Sequence, residues 1–130
     1  MNGDRKVLTA SEVLRRYGED IGRFGGVPLT DVNQRDVFGD YPIHTAAIGE
    51  ALDDMVALIA GGADVNTQGE DGFTALHWVA GRGNVEAVKL LLEHGARSDI
   101  RENLFGNTPA ERAKLNGHEA VVKLLAETDS

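Results

Sequence analysis

The chain has no cysteine, so His44, His77, His94 and His118 are the first residues to test for chemistry. Imidazole is the commonest metal ligand and a general base near neutral pH. Zinc, however, needs several ligands converging in close geometry, and only His44 and His77 are expected to approach each other. A polar ring at the start of a helix has a simpler use, hydrogen-bonding a neighbouring turn. His94 stands before a glycine at a helix end, where a cation suits the dipole, and His118 opens the last helix. The acids read the same way. Asp53 with Asp54, Glu70 with Asp71, and Glu86 could supply carboxylates, but acid–base pairs must face each other across a cleft. Adjacent acids in a helix start or loop are expected to face solvent. Asp64-Val65-Asn66 lacks the further oxygen ligands of a calcium loop. Gly81-Arg82-Gly83 lacks the P-loop spacing and its lysine-serine ending, and no Gly-x-Ser-x-Gly occurs. These residues predict no catalytic site, no metal site, no cofactor and no enzyme.

Composition narrows the remaining classes. The 130 residues fit one domain. Hydrophobic residues make up 42%, enough for a core, but aromatics only 5%, so alanine, leucine and valine must fill it. Without cysteine there is no disulfide framework and no thiolate chemistry. No apolar run is long enough for a membrane helix, and the charged start at Met1 to Lys6 lacks the apolar segment of a secretory signal. A cytoplasmic protein is the expectation. The net charge of −8 disfavours nucleic acid and anionic membrane, and favours solubility or a basic partner.

The elements that position all these side chains repeat. Gly39, Pro42, His44, Ala47, Met55, Gly62, Ala63 and Asn66 lie 33 residues before Gly72, Ala75, His77, Ala80, Val88, Gly95, Ala96 and Asp99. Gly72, Thr74, Gly83, Val88, Leu90 and Leu91 recur 34 residues later as Gly106, Thr108, Gly117, Val122, Leu124 and Leu125. A period of this length marks a supersecondary unit that buries its apolar face only by stacking on copies of itself. Within each unit the signals are helical. Pro42 and Thr108-Pro109 open first helices, since proline suits a first turn, while Thr74 and Asn84 are expected caps. Leu52, Met55, Val56, Leu58 and Ile59 line one second helix, and Val121, Val122, Leu124 and Leu125 line another. Gly61-Gly62 and Gly95 end second helices. Upstream, Thr9 or Ser11 caps a helix carrying Val13, Leu14, Tyr17, Ile21 and Phe24, weakened by Gly18 and Gly22 and stopped at Gly25-Gly26. Asp31-Val32-Asn33 matches Asp64-Val65-Asn66 at the same distance of 33.

With these positions in register, the chain resembles the ankyrin repeats. The pattern Gly-x-Thr-Pro-Leu-His-x-Ala-Ala is met by Gly72, Thr74, Ala75, Leu76, His77, Val79 and Ala80. Gly39, Pro42, Ile43, His44, Ala46 and Ala47 form a poorer copy, and Gly106, Asn107, Thr108, Pro109 and Ala110 a third, with Glu111 in place of the histidine. The second-helix pattern is met by Gly83, Val88, Leu91, Leu92, Gly95 and Ala96. The resemblance implies an all-α solenoid of stacked helix-turn-helix units joined by hairpin loops, with an L-shaped profile. The whole chain, 1–130, is then one ankyrin-repeat domain. Residues 9–35 form a degenerate N-terminal capping repeat, 36–68 and 71–103 are repeats, and 104–130 form a C-terminal capping repeat. It also implies a structural role for His44 and His77.

The family commonly binds proteins on a concave face made of hairpin tips and the outer side of the first helices. By position that face holds Phe38, Asp40, Asp71, Phe73 and Phe105 on the tips, and Trp78, Arg82 and Arg112 on the helices. Large rings anchor interfaces, so Trp78 flanked by Phe38, Phe73, Phe105 and Arg82 is the expected hot spot. Asp40, Glu70 and Asp71 around it favour a basic protein partner. The expected function is binding one protein there, as an inhibitor or adaptor, with the chain a monomer or weak homodimer. The second reading is a self-associating structural protein, with the aromatic stripe buried against another copy.

Overall fold

In the computed structural model the described residues are 8–19 and 29–128. They form seven helices and no strand: α1 (Ala10–Gly18), α2 (Pro42–Ile48), α3 (Leu52–Ala60), α4 (Ala75–Gly81), α5 (Val85–Glu93), α6 (Pro109–Leu115) and α7 (Glu119–Thr128). A 3-10 turn spans Glu70–Gly72. Ile21, Phe24 and the Gly25-Gly26 stop lie outside the described residues.

The helices are short because each is bounded by its own chemistry. Thr9, Thr74 and Thr108 accept a hydrogen bond at Oγ1 from Glu12, His77 and Glu111 N–H, and Asn84 Oδ1 accepts from Ala87 N–H. These bonds satisfy donors that have no partner within the first turn. Pro42 and Pro109 occupy the first helical position of α2 and α6. The pairs α2–α3, α4–α5 and α6–α7 then stack, with Met55, Leu58, Val88, Leu91 and Leu125 fully enclosed between them. Ala46, Ala47, Ala75, Ala80 and Ala113 are buried too. Small side chains let the helices approach closely, which is how a core forms with so few rings.

Asparagine side chains tie successive units. Asn33 bonds Gly62 O and Asp64 N, and Asn66 bonds Gly95 O and Arg97 N in the same way. At the next step Asp99 pairs instead with Arg97 at 2.9 Å.

One acidic side chain departs from the expectation that adjacent acids face solvent. Asp54 in α3 is buried, and its carboxylate takes Arg16 Nη2 at 2.6 Å and the Tyr17 hydroxyl at 2.8 Å from α1. Burial first, and then this bond, push the Tyr17 phenol well above its ordinary value. Asp54 therefore latches α1 onto the stack. Asp54→Ala should cost about 1.5 kcal/mol, the worth of a hydrogen bond to a charged group. A two-state urea titration monitored by circular dichroism reads that loss, and no loss at all would deny the latch.

Glu50 is exposed but holds a backbone conformation that suits glycine. It sits where the later units have Gly83 and Gly117, with φ of 73° and 80°, and takes the same left-handed conformation at φ 53°. A Cβ there crowds the following carbonyl. Its carboxylate lies 3.9 Å from Arg82, an exposed pair that contributes little. Glu50→Gly should raise stability by about 1 kcal/mol, read as a higher urea midpoint at unchanged slope.

Candidate protein-binding face

The hairpins between units are built alike and joined edge to edge. Each closes through one backbone bond: Asp36 N to Asp40 O, Gly69 N to Phe73 O, and Glu102 N to Asn107 O. The third loop holds one more residue than the others, which is where the period lengthens. Inside the first, Asp36 Oδ1 accepts Phe38 and Asp40 N–H. Inside the third, Glu102 Oε1 accepts Phe105, Gly106 and Asn107 N–H, and Oε2 takes Arg112 Nη1 at 3.2 Å. The middle hairpin has Gly69 at that place and borrows its acceptor. Asp40 Oδ1 of the preceding hairpin takes Glu70 N–H at 2.9 Å. A Cβ on Gly69 would collide with that carboxylate and with the His44 ring, so the site requires glycine. Asn103 N–H donates to Asp71 O at 2.7 Å, joining the second tip to the third.

The two buried histidines hold hairpin to helix. His44 Nδ1 accepts Tyr41 N–H and its Nε2 contacts Thr67 O at 2.9 Å; His77 Nδ1 accepts Thr74 N–H and its Nε2 contacts Asn107 O at 2.9 Å. An Nδ1 that accepts must be bare, so the proton sits on Nε2 and donates to the carbonyl. Burial above all lowers both pKa values, against the opposing pull of the carbonyls and of Asp40 or Glu102. In the last unit Glu111 replaces the ring and receives Thr108 N–H and Arg101. It borders a hollow of 530 Å³ with Asn107, Lys114 and Leu115. No group of three or more metal-ligating side chains is assembled among the described residues.

The residues expected on the concave face fall into three sets. Phe38 and Phe105 are exposed, 52% and 74%, beside Val37 and Leu104. Asp71 and Arg82 are also exposed, Arg82 beside Glu50. Phe73 and Asp40 are not available: they are 5% and 3% exposed. Phe73 turns inward because its ring lies 5.6 Å from His77, 5.0 Å from Trp78 and 4.7 Å from the Arg112 guanidinium. Asp40 is drawn in by the Glu70 amide. Trp78 and Arg112 are half-buried and form with Phe73 and Glu102 one continuous stack beneath the tips. Trp78 Nε1 is shielded from solvent and has no hydrogen-bond partner among the described residues.

Sequence reasoning missed Asp36 and Glu102, which shape the tips; Leu115 on α6, which the repeat register places on the same face, is 71% exposed. The two acids stand 66 residues apart, twice the period, a signal hidden by Gly69 between them.

Paired short helices, hairpins linked edge to edge and a face of exposed rings define a repeat solenoid built for surface recognition. The sequence model for ankyrin repeats (3 copies) matches residues 43–130, and the chain belongs to that family. Ankyrin repeats are protein–protein interaction modules. The chain is 34% identical over 88% of its length to a transient receptor potential cation channel subfamily A member 1 homolog of Caenorhabditis elegans. It is 31% identical over 76% of its length to the SMC5-SMC6 complex localization factor protein 1 of Bos taurus. With the human neurogenic locus notch homolog protein 2 it shares 45% identity over 58%. It spans only 9%, 10% and 3% of those relatives, so the likeness is to one region of each. No helix among the described residues is long and apolar enough to cross a membrane.

Proposed function

We propose that the chain binds one partner protein through its concave face, acting as an inhibitor by occlusion or as an adaptor. The observation that carries this reading is where the exposed apolar surface lies. Of six large apolar side chains exposed among the described residues, Val37, Phe38, Leu104 and Phe105 are on hairpin tips and Leu115 is on a first helix, while Val56 alone is on a second helix, α3. Apolar side chains exposed together on the tips mark interaction sites. Trp78, Arg112 and Phe73 give the face a rigid floor, which lowers the ordering cost of binding. On this reading residues 9–35 and 104–130 cap the two ends of a single domain.

Affinity capture with the wild-type chain and with a Phe38→Ala, Phe105→Ala variant tests it. Both rings are exposed, so the variant's circular dichroism should match the wild type. A specific captured protein should be lost with the two rings. Capture retained at full strength would move the interface elsewhere.

A further inference from the structure

We infer that the row of hairpin tips receives an extended segment of the partner carrying a lysine or arginine between two apolar side chains. The inference rests on the concave-face reading above and specifies its chemistry. The tips form one row, because Asp40 bonds the Glu70 amide and Asp71 O takes the Asn103 amide. Along that row the surface changes character twice. Val37 and Phe38 are exposed on the first tip, Glu70 and Asp71 on the second, and Leu104 and Phe105 on the third.

The central acids are the ones left for a ligand. Glu50, Glu102 and Glu111 already hold Arg82, Arg112 and Arg101. The carboxylates of Glu70 and Asp71 hold no hydrogen bond or ion pair among the described residues. Two apolar ends with an acidic centre exclude an anionic membrane or a nucleic acid, and call for a cation flanked by apolar groups.

Spacing adds a register. Stacked helices lie about 8–10 Å apart, so the outer tips are roughly 20 Å from each other. An extended chain rises about 3.3 Å per residue, so apolar anchors about six residues apart would reach both. Side chains alternate faces along such a chain. The cation therefore belongs two or four residues after the first anchor, on the same side as both.

Panning a library of random 12-residue peptides on phage against the whole chain tests this. Enriched peptides should share that pattern. A synthetic peptide of the consensus, followed by fluorescence polarisation, should bind about tenfold more weakly to a Glu70→Lys, Asp71→Lys variant. Replacing the peptide's cation with glutamate should restore binding to that variant. Phe105→Ala should weaken the peptide while its unfolding midpoint stays unchanged. Enriched peptides that lack the cation, or that ignore the charge reversal, would overturn the inference. If their binding depended on Trp78 or Arg112 instead, the concave-face reading would stand and the tip chemistry would fall. Enrichment of no peptide would count against both.

Discussion

Glu102→Ala is expected to destabilise the chain by about 3 kcal/mol, the lower end of the cost of breaking a buried ion pair from one side. The Glu102 side chain is fully enclosed, and Arg112 is only 24% exposed. Removing the carboxylate leaves Phe105, Gly106 and Asn107 N–H without their acceptor and leaves a guanidinium over the Phe73 ring without its counter-charge. Burial alone would push this carboxyl up, but the three amides and Arg112 outweigh it and hold it below the ordinary value of 4.5. Its contribution is thus complete above pH 4.5 and fades as pH falls through the lower, folded value. Glu102→Gln keeps an acceptor oxygen and should lose markedly less. Urea titrations read the stability. Hydrogen exchange should localise the change, with the Phe105 to Asn107 amides losing protection ahead of the core. A loss below 1 kcal/mol would mean that water replaces the carboxylate, and the third tip would then not depend on it.

That prediction rests on a residue the sequence did not disclose, whereas most of the scaffold was plain. Glycine, proline and threonine mark turns and caps by local backbone chemistry, so Thr74, Thr108-Pro109 and Gly95 identify their elements without help from tertiary structure. The apolar stripe of α5 and α7 follows from helical spacing, and Val88, Leu91 and Leu125 are enclosed accordingly. What a repeat pattern hides is how a polar side chain is used. Asp54 follows Asp53 in a first turn, and only the docking of α1 turns one inward while the other stays exposed. Phe73 and Phe105 both belong to tips, but Phe73 has His77 and Trp78 within reach on its own unit and folds back on them. Asp40 read as surface charge because its acceptor role serves the next hairpin, 30 residues away. Contacts between units decide these cases, and the period alone carries no record of them.

His77→Ala should cost about 3 kcal/mol, combining a buried large-to-small change with the loss of two internal hydrogen bonds. The ring is fully buried. Its removal leaves a cavity beside Phe73, leaves Thr74 N–H without its ring acceptor, and cuts the link that pulls Asn107 O onto α4. Acid should act on the same bond. With the folded pKa below 6.5, the unfolded chain binds the proton more readily than the native one, so stability rises with pH through that interval. It is complete above pH 6.5 and declines below it, each such histidine adding a slope of up to about 1.4 kcal/mol per pH unit. A protonated Nδ1 would face the Thr74 amide donor to donor, which gives the effect its structural cause. His44 adds a second contribution of the same sign, moderated by Asp40 at 3.7 Å. Urea unfolding between pH 5 and 7.5 should therefore show a steep fall toward acid in the wild type and a shallower one in His77→Gln. A flat profile over that range would show that neither ring is held neutral by its place between helix and hairpin, and would remove the physical reason for histidine at these two positions.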